Sequence, residues 1–530
     1  MCPRAVAASL AAAAALLAAL LAAPVPPGAA VAARGGAPTA AISVRASAAA
    51  SAAKALTFYT VSNATLLPHR LEAPAEVEAL WGHFEASYPL AFAALAVERV
   101  AGHSRLLTWA GTNASALPGL MVSHVDVVPV AGVTATTARD HSLSLPGWPA
   151  PPFAGAIRSA PGPDGVARDY IVGRGAVDAK GQAAAILEAV ESLLASGFAP
   201  ATTLHIAVGH DEEVRGTQGA AGMAVVLQRR GVRFAWCLDE GGVVVPAGLP
   251  PLVSRPIALV GVAEKGYATL ALEVEAGAGH AALPPRAGAS AAAVAAAAAA
   301  YADADRPYRV APPTDAFLRG LAEAADRRWA RLALLAAARA PPSAVRALLS
   351  TLPAPATIAS LFGTSVALVG VAAGGADNVV PGRATVRANY RLAAPDTLAD
   401  AVAHLERAGK RALTRARAAN VSVRVSLADA GWLPASTAAD ARHPAFAALA
   451  AALAETTPSP SGIAVVPYLL AGATDSRHYS DIAHTILRFT PFAVPLPDLA
   501  GVHGAGERLA VDSFVAGVRV YAAFLERALV

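Results

Sequence analysis

An alternation of short apolar runs and helical stretches constrains this chain most. The runs Leu120–Val128, Thr203–Val208 and Phe234–Leu238 are set apart by helix-like stretches at Ala179–Ala195 and Gly219–Arg230. Apolar runs of that length read as buried strands. Strands and helices taken in turn imply an α/β fold, with a mostly parallel sheet covered by helices on both faces. In such sheets the chemistry gathers just past the carboxyl ends of strands. His124, Asp126, Asp211, Glu212, Glu213, Asp239 and Glu240 all fall at or just beyond such ends.

The pattern changes after about residue 261. Tyr267–Glu275 alternates like a strand, Ala287–Ala302 is helical, and Val366–Val371 and Ala384–Leu392 are strands joined at Asn378–Gly382. A helix over Thr397–Leu413 and a strand over Val421–Leu427 complete a β-α-β-β-α-β order, the ferredoxin-like α+β unit. A largely helical insertion at about 304–364 interrupts it, with Pro341, Pro342, Pro353 and Pro355 as breakers. The expected organisation is leader plus linker at 1–55 and a catalytic domain at 56–261. A lid domain follows at 262–430, and 431–530 returns to the catalytic domain, ending in a helix from about Val511. A length of 530 residues accommodates more than one domain.

A formal charge of +4 is close to balance for this length, and no block of like charge offers a nucleic-acid or lipid-headgroup surface. Cys2 and Cys237 are the only cysteines, so a disulfide framework and a cysteine-rich metal site are excluded. A transition metal here must be held by His and carboxylates. Arg4 precedes an apolar run from Ala5 to Ala23, and Pro24 and small residues follow. That is the form of a signal peptide. The run is also long enough for an anchor, the one route to a membrane that this reading leaves. The Ala- and Ser-rich segment 31–55, with Arg34 and Arg45 and no acid, gives a plastid-type leader as a further reading. Acceptor triplets for N-glycosylation begin at Asn63, Asn113 and Asn420, which leans towards the secretory pathway.

Six motifs carry chemistry. In Ser123–Pro129, His124 and Asp126 face the same way along a strand, so His124 suits a metal and Asp126 suits orienting it. The plain alternative is a solvated histidine at a strand end. Gly173–Gly181 opens a helix, and its Asp178 has two oxygens, enough to bridge two cations or simply to cap the helix. In Gly209–Glu213 adjacent carboxylates repel, which a cation or a raised pKa relieves. If one glutamate of that pair binds metal, the other is free to shuttle a proton. Cys237–Gly242 places further acids at a strand end, and Gly501–Glu507 holds His503. His280 stands in a proline-bounded loop of the lid. The whole N/O set suits zinc in a hydrolytic site.

In this order the motifs resemble the metallopeptidase family of aminoacylase, carboxypeptidase S and the secreted N-acyl-amino-acid hydrolases. The strings HVDVVP, GRGAVDAKG, GHDEEVRGTQGA, LDEGG, GADNVVP, GATDSRHY and GVHGAGERL carry the likeness, from about residue 60 to the C-terminus. The nearest likeness is to the carboxypeptidase S and N-acyl-amino-acid branch. The resemblance implies two zinc ions per subunit: His124 and Asp239 on one, Glu213 and His503 on the other, Asp178 bridging. It makes Glu212 the general base, Asp126 the residue that orients His124, and His280 the lid histidine that stabilises the oxyanion. Asn378 and Arg391 would hold the substrate's main-chain groups, with Arg391 on the carboxylate and Arg477 a further candidate there. The chain departs from the family at Ala281 and Ala282, where serines are frequent, and at Gly506, where asparagine is frequent.

The implied reaction is amide hydrolysis of N-acyl amino acids or of short peptides with a free carboxylate, and its reversal as condensation. A Gly-X carboxypeptidase or dipeptidase is the rival within enzymes, and a non-catalytic carrier of acylated amino acids the rival outside them. The partner is a small-molecule substrate, not a nucleic acid, and the oligomeric state is open.

Overall fold

The computed structural model describes residues 43–530, except 286–288, 305–307, 352–355, 418–419, 429–430, 458 and 460. The leader and anchor expected before residue 43 lie outside the described residues.

The principal sheet has eight strands. Their order is Ala96–Val100, Ser104–Trp109, Leu204–Gly209, Gly119–His124, Trp236–Val245, Ile486–Ala493, Ile257–Glu264 and Ala464–Leu470. The middle strands are parallel, with His124 opposite Gly209 and Met121 opposite Leu238. The two strands nearest Ala96 form an antiparallel edge, and Ile257–Glu264 runs against Ile486–Ala493. Alternation along a strand sorts the side chains between two cores. Met121, Ile206 and Leu238 pack under the helices Lys180–Ala195, Pro444–Thr456 and Val511–Ala528. Leu120, Val122, Ala207 and Cys237 pack under Gly219–Arg229. A sheet buried on both faces explains why its strands read as nearly unbroken apolar runs.

The second sheet has four antiparallel strands in the order Ser365–Ala373, Arg383–Leu392, Gly266–Glu275 and Ser422–Leu427. The helices Ala291–Ala304 and Leu398–Ala416 share one core with it. This is the ferredoxin-like arrangement. Thr397 and Asp400 form a capping box at the start of the second helix, satisfying its first free N–H groups. The inserted helices do more than extend this unit. Pro312–Ala324 packs on the edge strand Ala464–Leu470 of the principal sheet, through Phe317, Leu318 and Leu321 against Val466 and Tyr468. It therefore adds cover to the face that Ile257 and Val466 share at that end of the sheet.

One boundary needs correction. Residues 48–55, expected to close the linker of 1–55, form the helix Ala48–Ala55, whose buried alanines pack on Lys180–Ala195 in the main core. Arg45, counted as a leader-type cation, grips buried Glu188 through Nε at 3.0 Å and Nη2 at 2.5 Å. Alanine-rich composition hid the helix, because small side chains give a weak apolar period yet pack closely.

Candidate metal centre

The parallel strands deliver their residues to one edge. His124 ends its strand and is 1% exposed. Its Nδ1 lies 3.0 Å from the Asp126 carbonyl oxygen and 3.3 Å from Asp126 Oδ1. With Nδ1–H donating there, Nε2 is left to bind a cation. That nitrogen lies 3.0 Å from Asp178 Oδ1 and 3.3 Å from Glu240 Oε1. On the far side of Asp178, Oδ2 is 3.0 Å from His503 Nε2, and the same nitrogen is 3.1 Å from Glu213 Oε2. Ligand atoms of His124, Asp178 and Glu240 all lie within 4.8 Å of one another, as do those of Asp178, Glu213 and His503. Asp178 thus belongs to both groups. It is not a helix cap: the N-cap residue of the helix Lys180–Ala195 is Ala179, and no side chain caps it.

Asp126 is fully buried and accepts the backbone N–H of Glu212 at 3.0 Å and of Glu213 at 3.1 Å. One carboxylate therefore orients the histidine and the acidic turn together. The turn is the short helical stretch Glu212–Val214, closed by Arg215 at φ 87°.

The third member of the His124 group is Glu240, where the resemblance implied Asp239. Asp239 is buried elsewhere, accepting the N–H of Ser476 at 2.6 Å and of Glu240 at 2.8 Å. The reason is local. Neighbouring strand residues face opposite ways, and the pairing with Ile486–Ala493 shifts register between Arg488 opposite Asp239 and Phe489 opposite Gly242. Gly241, at φ 134°, takes up the irregularity that aims Glu240 into the site. The Gly-Gly after the acids was the available sequence signal.

Electrostatics fit a cationic centre. Burial alone would depress His124, but the charge of Glu240 and hydrogen bonds to Asp126 and Asp178 raise it well above the ordinary histidine value. Hydrogen bonds to Asp178 and Glu213 push His503 up to about 10. Burial, with the Asp178 charge, pushes Glu240 up to about 8. Burial would raise Asp178 as well, but His124 and His503 hold it below the usual carboxylate range. Crowded carboxylates of this kind are relieved by protons or by cations. Two imidazoles and three carboxylates, all N/O donors, suit zinc-like ions, so these residues fit the metals that the sequence implies. Burial lifts Glu212 well above the carboxylate range, against the pull of His124 and with help from Asp475, Glu240 and Glu213. A carboxyl so placed suits holding and passing a proton.

The family model for peptidase family M20/M25/M40 matches residues 120–527. The chain belongs to peptidase family M20. An M20 peptidase is a metal-dependent hydrolase, and this chain is an enzyme of that kind. It is 30% identical to the probable carboxypeptidase S-like 2 of Dictyostelium discoideum, over 81% of this chain and 75% of that protein. It is also 30% identical to the N-fatty-acyl-amino acid synthase/hydrolase of Bos taurus, over 81% of this chain and 78% of that one. Among solved structures, an M20 family metallo-carboxypeptidase from Sulfolobus solfataricus shares the fold, with a TM-score of 0.58 and 18% identity, covering 91% of this chain and 99% of that one.

The remaining residues expected in the site of this M20 peptidase stand apart from the cluster. His280 lies on a short antiparallel ribbon, Gly279–His280 with Val379–Val380, Asn378 directly precedes its second strand, and both are exposed. The Ala281 N–H donates to the Asn378 carbonyl at 2.9 Å. Arg391 is half-buried with its guanidinium 5.1 Å above the Tyr267 ring. Among the described residues no hydrogen bond or ion pair joins His280, Asn378 or Arg391 to the metal-centre side chains. Arg477 is turned aside, its Nη2 donating to the Arg215 carbonyl at 2.8 Å. The departure at Gly506 also has a cause. At φ 75° a side chain is strained, and a Cβ would lie 2.7 Å from the Gly147 oxygen.

Proposed function

We propose that this M20 peptidase hydrolyses the amide bond of N-acyl amino acids or short peptides with a free carboxylate, using two zinc ions. The observation that carries the reading is Asp178, whose two oxygens each face a different histidine at 3.0 Å. His124, Asp178 and Glu240 would hold one ion, and Asp178, Glu213 and His503 the other. Such ions would lower the pKa of a water and polarise the scissile carbonyl.

The chain's own groups do the rest. Glu212 takes a proton from the water as its oxygen bonds to the carbonyl carbon, then delivers that proton to the amide nitrogen as the C–N bond breaks. Arg391, steadied on Tyr267, receives the substrate carboxylate through its guanidinium fork, with Asn378 beside the main-chain groups. The ferredoxin-like unit, expected over 262–430, acts as a lid and carries His280 to the developing oxyanion when it closes. Arg477 then has a supporting role through the Arg215 carbonyl rather than a direct one.

The likeness to the Bos taurus synthase/hydrolase favours fatty-acyl amino acids, and condensation is the same step reversed. The likeness to a carboxypeptidase S-like protein favours carboxypeptidase action as the second reading, for which we take Gly-X peptides as the substrate. A panel of both substrate types, assayed with and without a chelator and with zinc restored, separates them. Chelator-insensitive turnover would reject the metal mechanism. We also propose passage through the secretory pathway, because Asn113 and Asn420 of the acceptor triplets are exposed. Loss of mass on treatment with an N-glycan-cleaving enzyme tests this.

A further inference from the structure

The second metal group sets a positional problem. Its His503 is 52% exposed, at φ 59°, on a turn containing Gly501, Gly504 and Gly506. Glycine-rich backbone without side-chain packing does not hold an imidazole to the fraction of an ångström that a metal requires. Asp178, the group's shared ligand, comes from a turn far away in sequence. What joins the two turns is a buried pair that no sequence expectation assigned.

Glu507 follows the His503 turn and is 1% exposed. Its Oε1 accepts the backbone N–H of Val177 at 2.9 Å and of Asp178 itself at 3.2 Å. Its Oε2 accepts the N–H of Gly175 at 3.0 Å and Arg174 Nη1 at 2.6 Å. Arg174, 2% exposed, turns its other nitrogen back to the His503 side, where Nη2 donates to the Gly504 carbonyl at 2.8 Å. The Gly173 N–H donates to the Glu507 carbonyl at 3.1 Å, and Arg508 then pairs with Val172 as antiparallel strands. A single carboxylate thus collects the amides of the Asp178 turn, and its guanidinium partner returns to the His503 turn. Among the described residues no hydrogen bond or ion pair joins His124 or Glu240 to Glu507 or Arg174; they are held by Asp126 and by the strand irregularity at Gly241, and meet the clamp only through the shared Asp178.

We infer that Glu507, clamped by Arg174, is a positioning residue that sets the affinity of the Glu213–His503 metal site relative to the His124–Glu240 site. This rests on the two-metal reading above. Replacing the carboxylate by an amide puts an NH2 group against N–H donors that then lack an acceptor. The two turns part, and the exposed histidine loses its position first. Support of this kind is worth about 10- to 100-fold in metal affinity.

The test is a competitive chelator titration of zinc from the full chain, comparing wild type, E507Q and H503A, with metal content and thermal melting measured alongside. The expected result is two zinc equivalents in wild type. In E507Q one site keeps its affinity and the other weakens by about 10- to 100-fold, the same site that H503A removes. Unchanged affinities in E507Q, or an equal fall at both sites, would overturn the inference while leaving the metal centre standing. A wild-type chain that binds no zinc would reject the two-metal reading and this inference with it. Should E507Q fail to fold, R174K decides. Lysine keeps the charge but cannot reach both Glu507 and Gly504, so selective weakening is again expected, and wild-type affinities at both sites would refute the clamp.

Discussion

Asp126 stands behind His124 with two acceptors, its carbonyl oxygen at 3.0 Å from the imidazole Nδ1 and its carboxylate Oδ1 at 3.3 Å. The carbonyl is the nearer, so truncating the side chain leaves the histidine one partner. The carboxylate's larger share is the acidic turn, whose Glu212 and Glu213 N–H groups it accepts. Asp126→Ala should therefore keep the His124 tautomer but loosen the base and the ligand on that turn. Turnover should fall by about 100-fold or more, with metal affinity down about 10-fold. Steady-state kinetics and zinc titration on one preparation check this, and full activity would mean the turn holds its shape unaided.

Glu240 and Asp239 separate by their losses. Glu240→Ala removes a carboxylate that lies 3.3 Å from His124 Nε2, so bound zinc should drop by about one equivalent per chain. Asp239→Asn keeps the metals but weakens the buried acceptor of the Ser476 and Glu240 N–H groups, costing about 1–3 kcal/mol of stability. Metal analysis and thermal melting of the two variants read the difference. The reverse pattern would restore Asp239 as the ligand.

Glu212→Gln should leave the metal content unchanged, since its side chain belongs to neither ligand group. Without a carboxylate to carry the proton, kcat should fall by about 100- to 10,000-fold with little change in KM. A variant turning over near the wild-type rate would assign the proton transfer elsewhere.

Lys265 gives a stability test independent of the metals. It is 1% exposed, and burial pulls its pKa down to about 7, with the Arg391 charge adding to the effect. Its folded value is below the unfolded one, so between them the unfolded chain binds more protons and stability rises with pH. The contribution is fully present above the ordinary lysine value and is lost as pH falls through about 7. Melting temperature followed from pH 6 to 10 should show this rise in wild type, and Lys265→Met should flatten it. An identical slope in the variant would place the titration at another group.

Local periods made much of the fold legible. Strands at 204–209 and 266–275, the helices Lys180–Ala195 and Gly219–Arg229, and the β-α-β-β-α-β order follow from spacings of two and of three to four residues. His124, Asp178, Glu213 and His503 stood in Gly-rich or strand-end motifs that left plain readings open, the family resemblance picked them out as ligands, and the structure gathers all four. The helix Ala48–Ala55 was not, because alanine gives little contrast between its faces.

Residue type and spacing along the chain therefore determined which groups could do chemistry and the strands and turns that present them. Tertiary structure alone set Glu240 rather than Asp239 beside His124, because a register shift against a strand from the far end of the chain aims one inward and the other away. It alone brought Glu507 beneath Asp178, and seated the inserted helices on the principal sheet's edge strand. Each of these is a contact between segments distant in sequence, and the short-range periods that specify an element carry no record of which distant backbone will pack against it.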